Sequence, residues 1–208
     1  LETSDASQKT HGYAISLYRK TRVVQILAFS RSIMAGLAGI LRPDHFPMYN
    51  IILFQPEIPP NTGNIIRLCG NSSAKLHLVG PMGFELEHAK LRRAGLDYHD
   101  LAIVSQYGNW EDFRNQHPNM PIWAFSTKGH TRYDRVDYAV GDGLLFGPET
   151  RGLPQELLST MGPRVLRLPM QLSSRSLNLS NTVAIALYEA LRQTDFAGMN
   201  EEPVPTGP

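Results

Sequence analysis

The sequence predicts an α/β domain: a mostly parallel sheet flanked by helices. Three observations carry this. Short apolar runs alternate with stretches of helical period, the pattern of successive βαβ units. The runs are continuously apolar rather than alternating, as expected of strands covered on both faces. Several are followed by polar loops rich in Gly and Pro, and in such sheets ligands gather at the carboxyl ends of the strands.

Taken in order, the regular pattern begins at Met48. Residues 51–54 form the first strand, ended by Pro56, Pro59 and Pro60. Asn61-Thr62-Gly63 leads into a helix over 64–71, with Asn61 or Thr62 as its cap. Further strands are expected at 76–79, 102–104, 122–126, 143–146 and 165–168. Helices are expected over 88–94, with Gly95 as stop, over 110–116, and from Pro154, whose fixed φ suits a first turn. The last helix places Leu179, Val183, Ala184, Leu187, Tyr188 and Leu191 on one face. Residues 48–195 therefore read as the domain, and 196–208, with Gly198, Pro203, Pro205 and Gly207, as a loose tail.

Residues 1–47 differ from the rest. Between Asp5 and Asp44 there is no acidic residue, while Lys9, Arg19, Lys20, Arg22, Arg31 and Arg42 fall there. The expectation is a disordered extension or a stretch upstream of the natural start. An organellar targeting segment, which has this acid-poor composition, is the alternative.

With 42% hydrophobic residues the chain can bury an ordinary core, and a net charge of +1 leaves no global basic field. Nucleic acid would have to be met by a local patch. The single cysteine, Cys69, excludes a disulfide framework within the chain and fits a reducing compartment, so a cytoplasmic location is expected. The seven histidines are scattered without a metal-ligating spacing, so no metal is expected. No apolar run reaches the roughly 18 residues of a membrane span.

Three loops carry candidate chemistry. In Pro59-Pro60-Asn61-Thr62-Gly63-Asn64-Ile65-Ile66-Arg67 a capped helix explains everything except Arg67 beside an apolar face. In the 146–154 loop, Phe-Gly-Pro-Glu-Thr-Arg-Gly-Leu-Pro, Gly147 and Gly152 allow turns closed to other residues, and Glu149 suits a helix N-terminus. The third, 173–181, offers six Ser and Asn side chains where one cap would do. It reads as an over-furnished cap or as a pocket wall for a polar small molecule. Neither a GxxxxGK[ST] nor a GxGxxG pattern occurs, which argues against nucleotides bound in the usual way and against a Rossmann-like oxidoreductase. Lys90, Arg92 and Arg93 form a basic cluster. With Lys128 and other cations at loop ends they are candidates for gripping an RNA backbone, against a solvated helix face.

Together and in this order, the three loops resemble those of the SPOUT class of RNA methyltransferases, the α/β-knot enzymes. Within it the match looks close to the small tRNA wobble-position 2′-O-methyltransferases. It covers about residues 48–195 and includes Pro81-Met-Gly-Phe and the 91–99 stretch. The resemblance implies a C-terminal deep trefoil knot, which ordinary connection rules would not produce. It implies S-adenosylmethionine held against Phe125, Gly147, Leu168 and Ser176, with Ser126, Met170 and Leu177 close by. It makes Arg67 the residue associated with activating the ribose hydroxyl, supported by Asn178 and Glu149. It implies a homodimer packed through the last helix at Tyr188, and the tRNA anticodon region as partner, with no membrane. A non-catalytic RNA-binding protein that kept the knot, or action at another RNA site, are the alternatives.

The residues agree with such chemistry. In-line methyl transfer needs no covalent nucleophile, and no GxSxG is present. It needs two substrates aligned and a weakly acidic hydroxyl eased toward its alkoxide. A guanidinium does not give up its proton near neutrality. Arg67 is therefore expected to stabilise the developing alkoxide or a phosphate rather than take the proton.

Overall fold

The computed structural model describes residues 49–84, 103–172, 176–197 and 199, all within the unit His45–Pro208. The extension over 1–47, Met48, the 88–94 helix with Arg92 and Arg93, and Ser173 to Arg175 lie outside the described residues.

Among the described residues, seven strands form one sheet in the order β3-β2-β1-β6-β4-β7-β5. They are β1 (Asn50–Phe54), β2 (Lys75–Val79), β3 (Val104–Tyr107), β4 (Ile122–Phe125), β5 (Thr131–Arg132), β6 (Gly143–Phe146) and β7 (Val165–Arg167). Every pairing is parallel. The central strands β1 and β6 are buried at every residue, which is why they read as unbroken apolar runs. Six strands were expected. The seventh, β5, has only two residues and no apolar run, and it is held at the sheet edge by β7 alone.

The helices are α1 (Pro59–Ser72), α2 (Trp110–Gln116), α3 (Gln155–Met161) and α4 (Leu179–Gln193). They cover the two faces of the sheet. On one face, Ile65, Ile66 and Cys69 of α1 and Val183, Ala186, Leu187, Ala190 and Leu191 of α4 pack with Ile51, Leu53, Leu144 and Leu166. On the other, Phe113 of α2 and Leu158 of α3 pack with Ile52, Ala124 and Leu145. Phe196, Ala197 and Met199, in the stretch read as tail, pack partly buried against the first core.

Two elements differ from expectation by more than one residue. Helix α1 starts at Pro59 rather than at residue 64, because both prolines occupy its first turn, where a missing N–H costs nothing. Strand β3 covers Val104–Tyr107 rather than 102–104, and the Tyr107 ring buries in the second core.

The order of β4, β7 and β5 bears on the site. Strands β4 and β5 are joined by a short loop over 126–130, yet β7 lies between them. The loop hugs β7: Ser126 N–H donates to Leu166 O at 2.9 Å. A Cβ on Gly129 would come within 2.6 Å of the Leu166 carbonyl carbon. Only glycine lets the backbones approach this closely.

Candidate active site

The first and second loops are fastened by two glutamates. After β1, Gln55 takes a left-handed φ of 49°, turning the chain toward α1. The N-cap of α1 is Ile58, which has no side-chain oxygen to offer the N–H groups at this end. Glu149, from the loop after β6, does this work. Its Oε2 accepts from Glu57 N–H at 2.8 Å; its Oε1 accepts from Ile58 N–H at 3.2 Å and from Asn61 Nδ2 at 3.0 Å. A carboxylate at this position also complements the helix dipole. Glu57 returns the arrangement: its Oε2 accepts from the Thr150 N–H at 3.1 Å and the Thr150 hydroxyl at 2.6 Å. Arg151 approaches Glu57 Oε1 at 3.5 Å and donates to Gln55 Oε1 at 2.8 Å. The Thr150 hydroxyl, with Arg151 adding, holds the Glu57 carboxyl below the usual range.

The expected capping of α1 by Asn61 or Thr62 is therefore corrected. Both lie inside the helix and are buried. The Thr62 hydroxyl has no hydrogen-bond partner among the described residues. Glu149 does serve a helix N-terminus, as expected, but that of α1 rather than of the helix that follows its own loop.

The third loop joins through Asn61. Its Oδ1 accepts from Asn178 Nδ2 at 2.9 Å, while its Nδ2 is given to Glu149. Asn178 is the N-cap of α4, its Oδ1 accepting from the N–H of Ser180 at 2.9 Å and of Asn181 at 3.4 Å. The same oxygen takes the Ser180 hydroxyl at 2.7 Å. The surplus of Ser and Asn at this helix start is thus partly spent on capping and partly on binding the three loops together.

Beside this junction, β6, β4 and β7 are neighbours, and their carboxyl ends present Gly147, Ser126 and Leu168. Phe125 and Phe146 are in register, and their rings stack at 4.7 Å, closing the core beneath. Gly147 is needed for close approach rather than for a turn, since a Cβ there would run into the backbone of Gly152 and Leu153. Gly152 is the one with a positive φ, 68°. Leu168 is half-buried, Ser176 exposed, and Met170 and Leu177 are exposed apolar side chains at 37% and 42%. Backbone groups at strand ends beside uncovered apolar side chains are a donor set suited to an adenosine-like ligand.

Arg67 lies on the exposed side of α1. Lys128 is exposed in the loop after β4, with Nζ 3.2 Å from Gln155 Oε1. Tyr188 is 44% exposed on α4, its ring 6.3 Å from that of Phe196. Cys69 is fully buried, and burial pushes its thiol up, so it is no nucleophile. Among the described residues no group of His, Cys, Asp and Glu side chains could hold a metal ion, and no helix is long and apolar enough to cross a membrane.

Reading the sequence missed Asn61 as a bridge and Glu57 as the second fastener. The available signal was a carboxylate and an amide flanking a Pro-Pro helix start that lacks a polar N-cap.

Fold and site define a class. The chain belongs to the SpoU rRNA Methylase family, whose model matches residues 48–188. A relative from Saccharophagus degradans, named tRNA (cytidine(34)-2′-O)-methyltransferase, is 53% identical over 73% of this chain and 99% of its own. A solved structure described as giving insights into the 2-OH methylation of C/U34 on tRNA is 39% identical, with a TM-score of 0.68, over 76% of this chain and 97% of its own. An AdoMet-bound rRNA methyltransferase from Sinorhizobium meliloti is 28% identical, with a TM-score of 0.61, over 74% of this chain and 59% of its own.

Proposed function

We propose that this chain transfers the methyl group of S-adenosylmethionine to the ribose 2′-hydroxyl of the wobble nucleotide, position 34 of tRNA, where that nucleotide is cytidine or a modified uridine. The observation that carries the reading is the Glu149–Asn61–Asn178 chain of hydrogen bonds, which draws the three family motifs into one site. The high identity over nearly the full length of the tRNA-modifying relatives supports the substrate.

The cofactor would lie along Phe125, Ser126, Gly147, Leu168 and Met170, against Ser176 and Leu177. Bound there, S-adenosylmethionine supplies a methyl group on a sulfonium, an electrophile that needs no covalent nucleophile from the protein. Arg67 holds the developing alkoxide or an adjacent phosphate as a permanent cation. Glu149 is a positioning carboxylate: three N–H donors already engage its two oxygens, which fits fastening better than accepting the substrate proton. Asn178 fixes the wall that carries Ser176 and Leu177.

A trefoil knot belongs to the same proposal. Its support is β7 lying between β4 and β5 under the 126–130 loop. So does a homodimer, supported by Ile185 and Tyr188, exposed apolar side chains on α4. Arg92, Arg93 and Lys128 are proposed to meet the anticodon arm.

The test is to incubate purified protein with labelled S-adenosylmethionine and tRNA from cells lacking the wobble modification, then map the label. Methylation of the nucleotide-34 ribose is expected. Cofactor binding without transfer to any tRNA would instead favour a non-catalytic RNA-binding protein.

A further inference from the structure

The edge of the sheet beyond β7 carries a cation pair that the site as described does not use. Arg132 of β5 and Arg167 of β7 are Cα partners in register. Neighbouring strands lie about 4.8 Å apart, and register partners send their side chains from the same face. Both residues are exposed. Like charges placed side by side on a sheet disfavour the pairing, so this strand pair carries a cost that a bound anion would remove. Arg132 has a counter-ion of its own, Asp134, which it grips through Nε at 3.0 Å and through Nη2. Arg167 forms no ion pair with a described carboxylate. Arg135, one turn beyond β5, and Lys128, in the loop before it, are exposed as well. Arg132 and Arg135 both act on Asp134, and Glu189 lies within electrostatic reach of Asp134, so the cations of this edge are only partly offset, in a chain whose net charge is only +1.

The position matters as much as the charge. Arg167 immediately precedes Leu168, the strand end that lines the proposed cofactor wall, and the 126–130 loop bearing Lys128 lies against β7. The strand that carries Arg167 thus runs directly into the proposed cofactor wall, one residue further on.

We infer that the β5–β7 edge, through Arg132 and Arg167 with Lys128 and Arg135 flanking, binds the RNA phosphodiester backbone beside the methylated nucleotide. The inference rests on the tRNA reading above and gives it a docking surface. Guanidinium pairs suit phosphate oxygens through forked N–H donors. Such contacts position the RNA without reading its sequence.

The experiment measures tRNA affinity of the full chain without cofactor, over a series of salt concentrations, alongside methyl transfer and cofactor affinity. The double variant Arg132→Glu with Arg167→Glu should weaken tRNA binding by about tenfold or more and lower the slope of log affinity against log salt by about 2, near one unit per lost phosphate contact. Its cofactor affinity should stay at the wild-type value, and its unfolding midpoint should fall only modestly, since the exposed Glu pair and Asp134 repel in solvent. Arg132→Lys with Arg167→Lys should keep the wild-type salt slope, which follows charge, while losing the part of the affinity that the forked donors supply. Asp134→Asn, which frees Arg132, should tighten binding by about two- to fivefold, a direction that a merely structural role does not predict. Wild-type affinity and salt slope in the glutamate variant, or no tightening in Asp134→Asn, would overturn the inference. If the wild type methylates no tRNA yet the affinities change as stated, the catalytic reading fails and the binding edge stands.

Discussion

Asn178 Nδ2 lies 2.9 Å from Asn61 Oδ1, and this one hydrogen bond spans 117 residues of sequence. It ties the N-cap of α4 to the first turns of α1. Asn61 completes the link with its other amide atom, donating to Glu149 at 3.0 Å. An amide can accept at its oxygen and donate from its nitrogen, which is what this bridge uses. Asn61→Ala removes both bonds from a buried position and should cost about 1–3 kcal/mol of stability. Asn61→Asp keeps the acceptor for Asn178 but sets a second carboxylate against Glu149, and should be the worse of the two. Urea unfolding and kcat/KM for methyl transfer, measured together, check this. An aspartate variant equal to wild type in both would mean that the bridge holds nothing.

Two glycines permit close backbone packing around the site. A Cβ at Gly129 would sit 2.6 Å from the Leu166 carbonyl carbon, and one at Gly147 would meet the backbone of Gly152 and Leu153. The obstacles are backbone atoms, which cannot swing aside as a flexible side chain would. Gly129→Ala and Gly147→Ala should therefore each destabilise by about 1–3 kcal/mol, the cost of overpacking. Each should also weaken cofactor affinity, because the displaced loops carry Ser126 and Glu149. Thermal unfolding and a cofactor titration read the two effects separately.

Much of this architecture was legible because the informative signals are local. The strands buried on both faces announce themselves as apolar runs, and the helical face of α4 as a 3.6-residue period. What escaped detection depends on pairs far apart in the chain. Strand β5 exists only because β7 lies beside it. The α1 helix start, with Ile58 where a polar cap belongs, is intelligible only once Glu149 is seen to arrive from 91 residues away. Asn61 looked like a cap because Asn before a helix usually is one. Its real partners come from the two other loops, which periodicity does not bring together.

His77 offers a pH test independent of catalysis. It is fully buried in β2, and its two ring nitrogens meet Tyr107 Oη at 2.9 Å and Asn50 Oδ1 at 3.0 Å. Asn50 Nδ2 is committed to Gly141 O, so its Oδ1 takes the His77 Nε2–H. His77 Nδ1 then accepts the Tyr107 hydroxyl, which in turn accepts from His117 Nε2 at 2.9 Å. The network is satisfied with both imidazoles neutral. Burial, with His117 nearby, pulls His77 down to about 3, and burial lowers His117 as well. A depressed histidine stays neutral in the native state while its unfolded counterpart, with an ordinary value of 6.5, takes up a proton. Stability should therefore be full above about pH 6.5 and fall as pH drops from there toward 3. The urea midpoint between pH 7.5 and 5.5, above most of the range where carboxylates titrate, should decline with acidification. His77→Gln should be less stable at neutral pH and show a flatter decline. A wild-type midpoint level across that interval would contradict the arrangement.

Gly63 and Arg67 lie one turn apart on α1, and the glycine is the odder of the two. A Cβ at Gly63 would meet nothing within 4 Å, and the residue is not in the left-handed region. Among the described residues no packing or backbone reason demands a glycine there. In a helix interior it costs about 0.5–1 kcal/mol relative to alanine. Gly63→Ala should accordingly raise stability by about that amount. The space beside it is where a ribose or phosphate held by Arg67 would press against the helix backbone, so the same substitution should lower kcat/KM by raising KM for tRNA. Arg67→Ala should behave differently, abolishing transfer while leaving cofactor affinity nearly unchanged. A stabilised Gly63→Ala variant with wild-type tRNA kinetics would move the RNA away from this face of α1, and a wild-type rate in Arg67→Ala would remove the arginine from the reaction altogether.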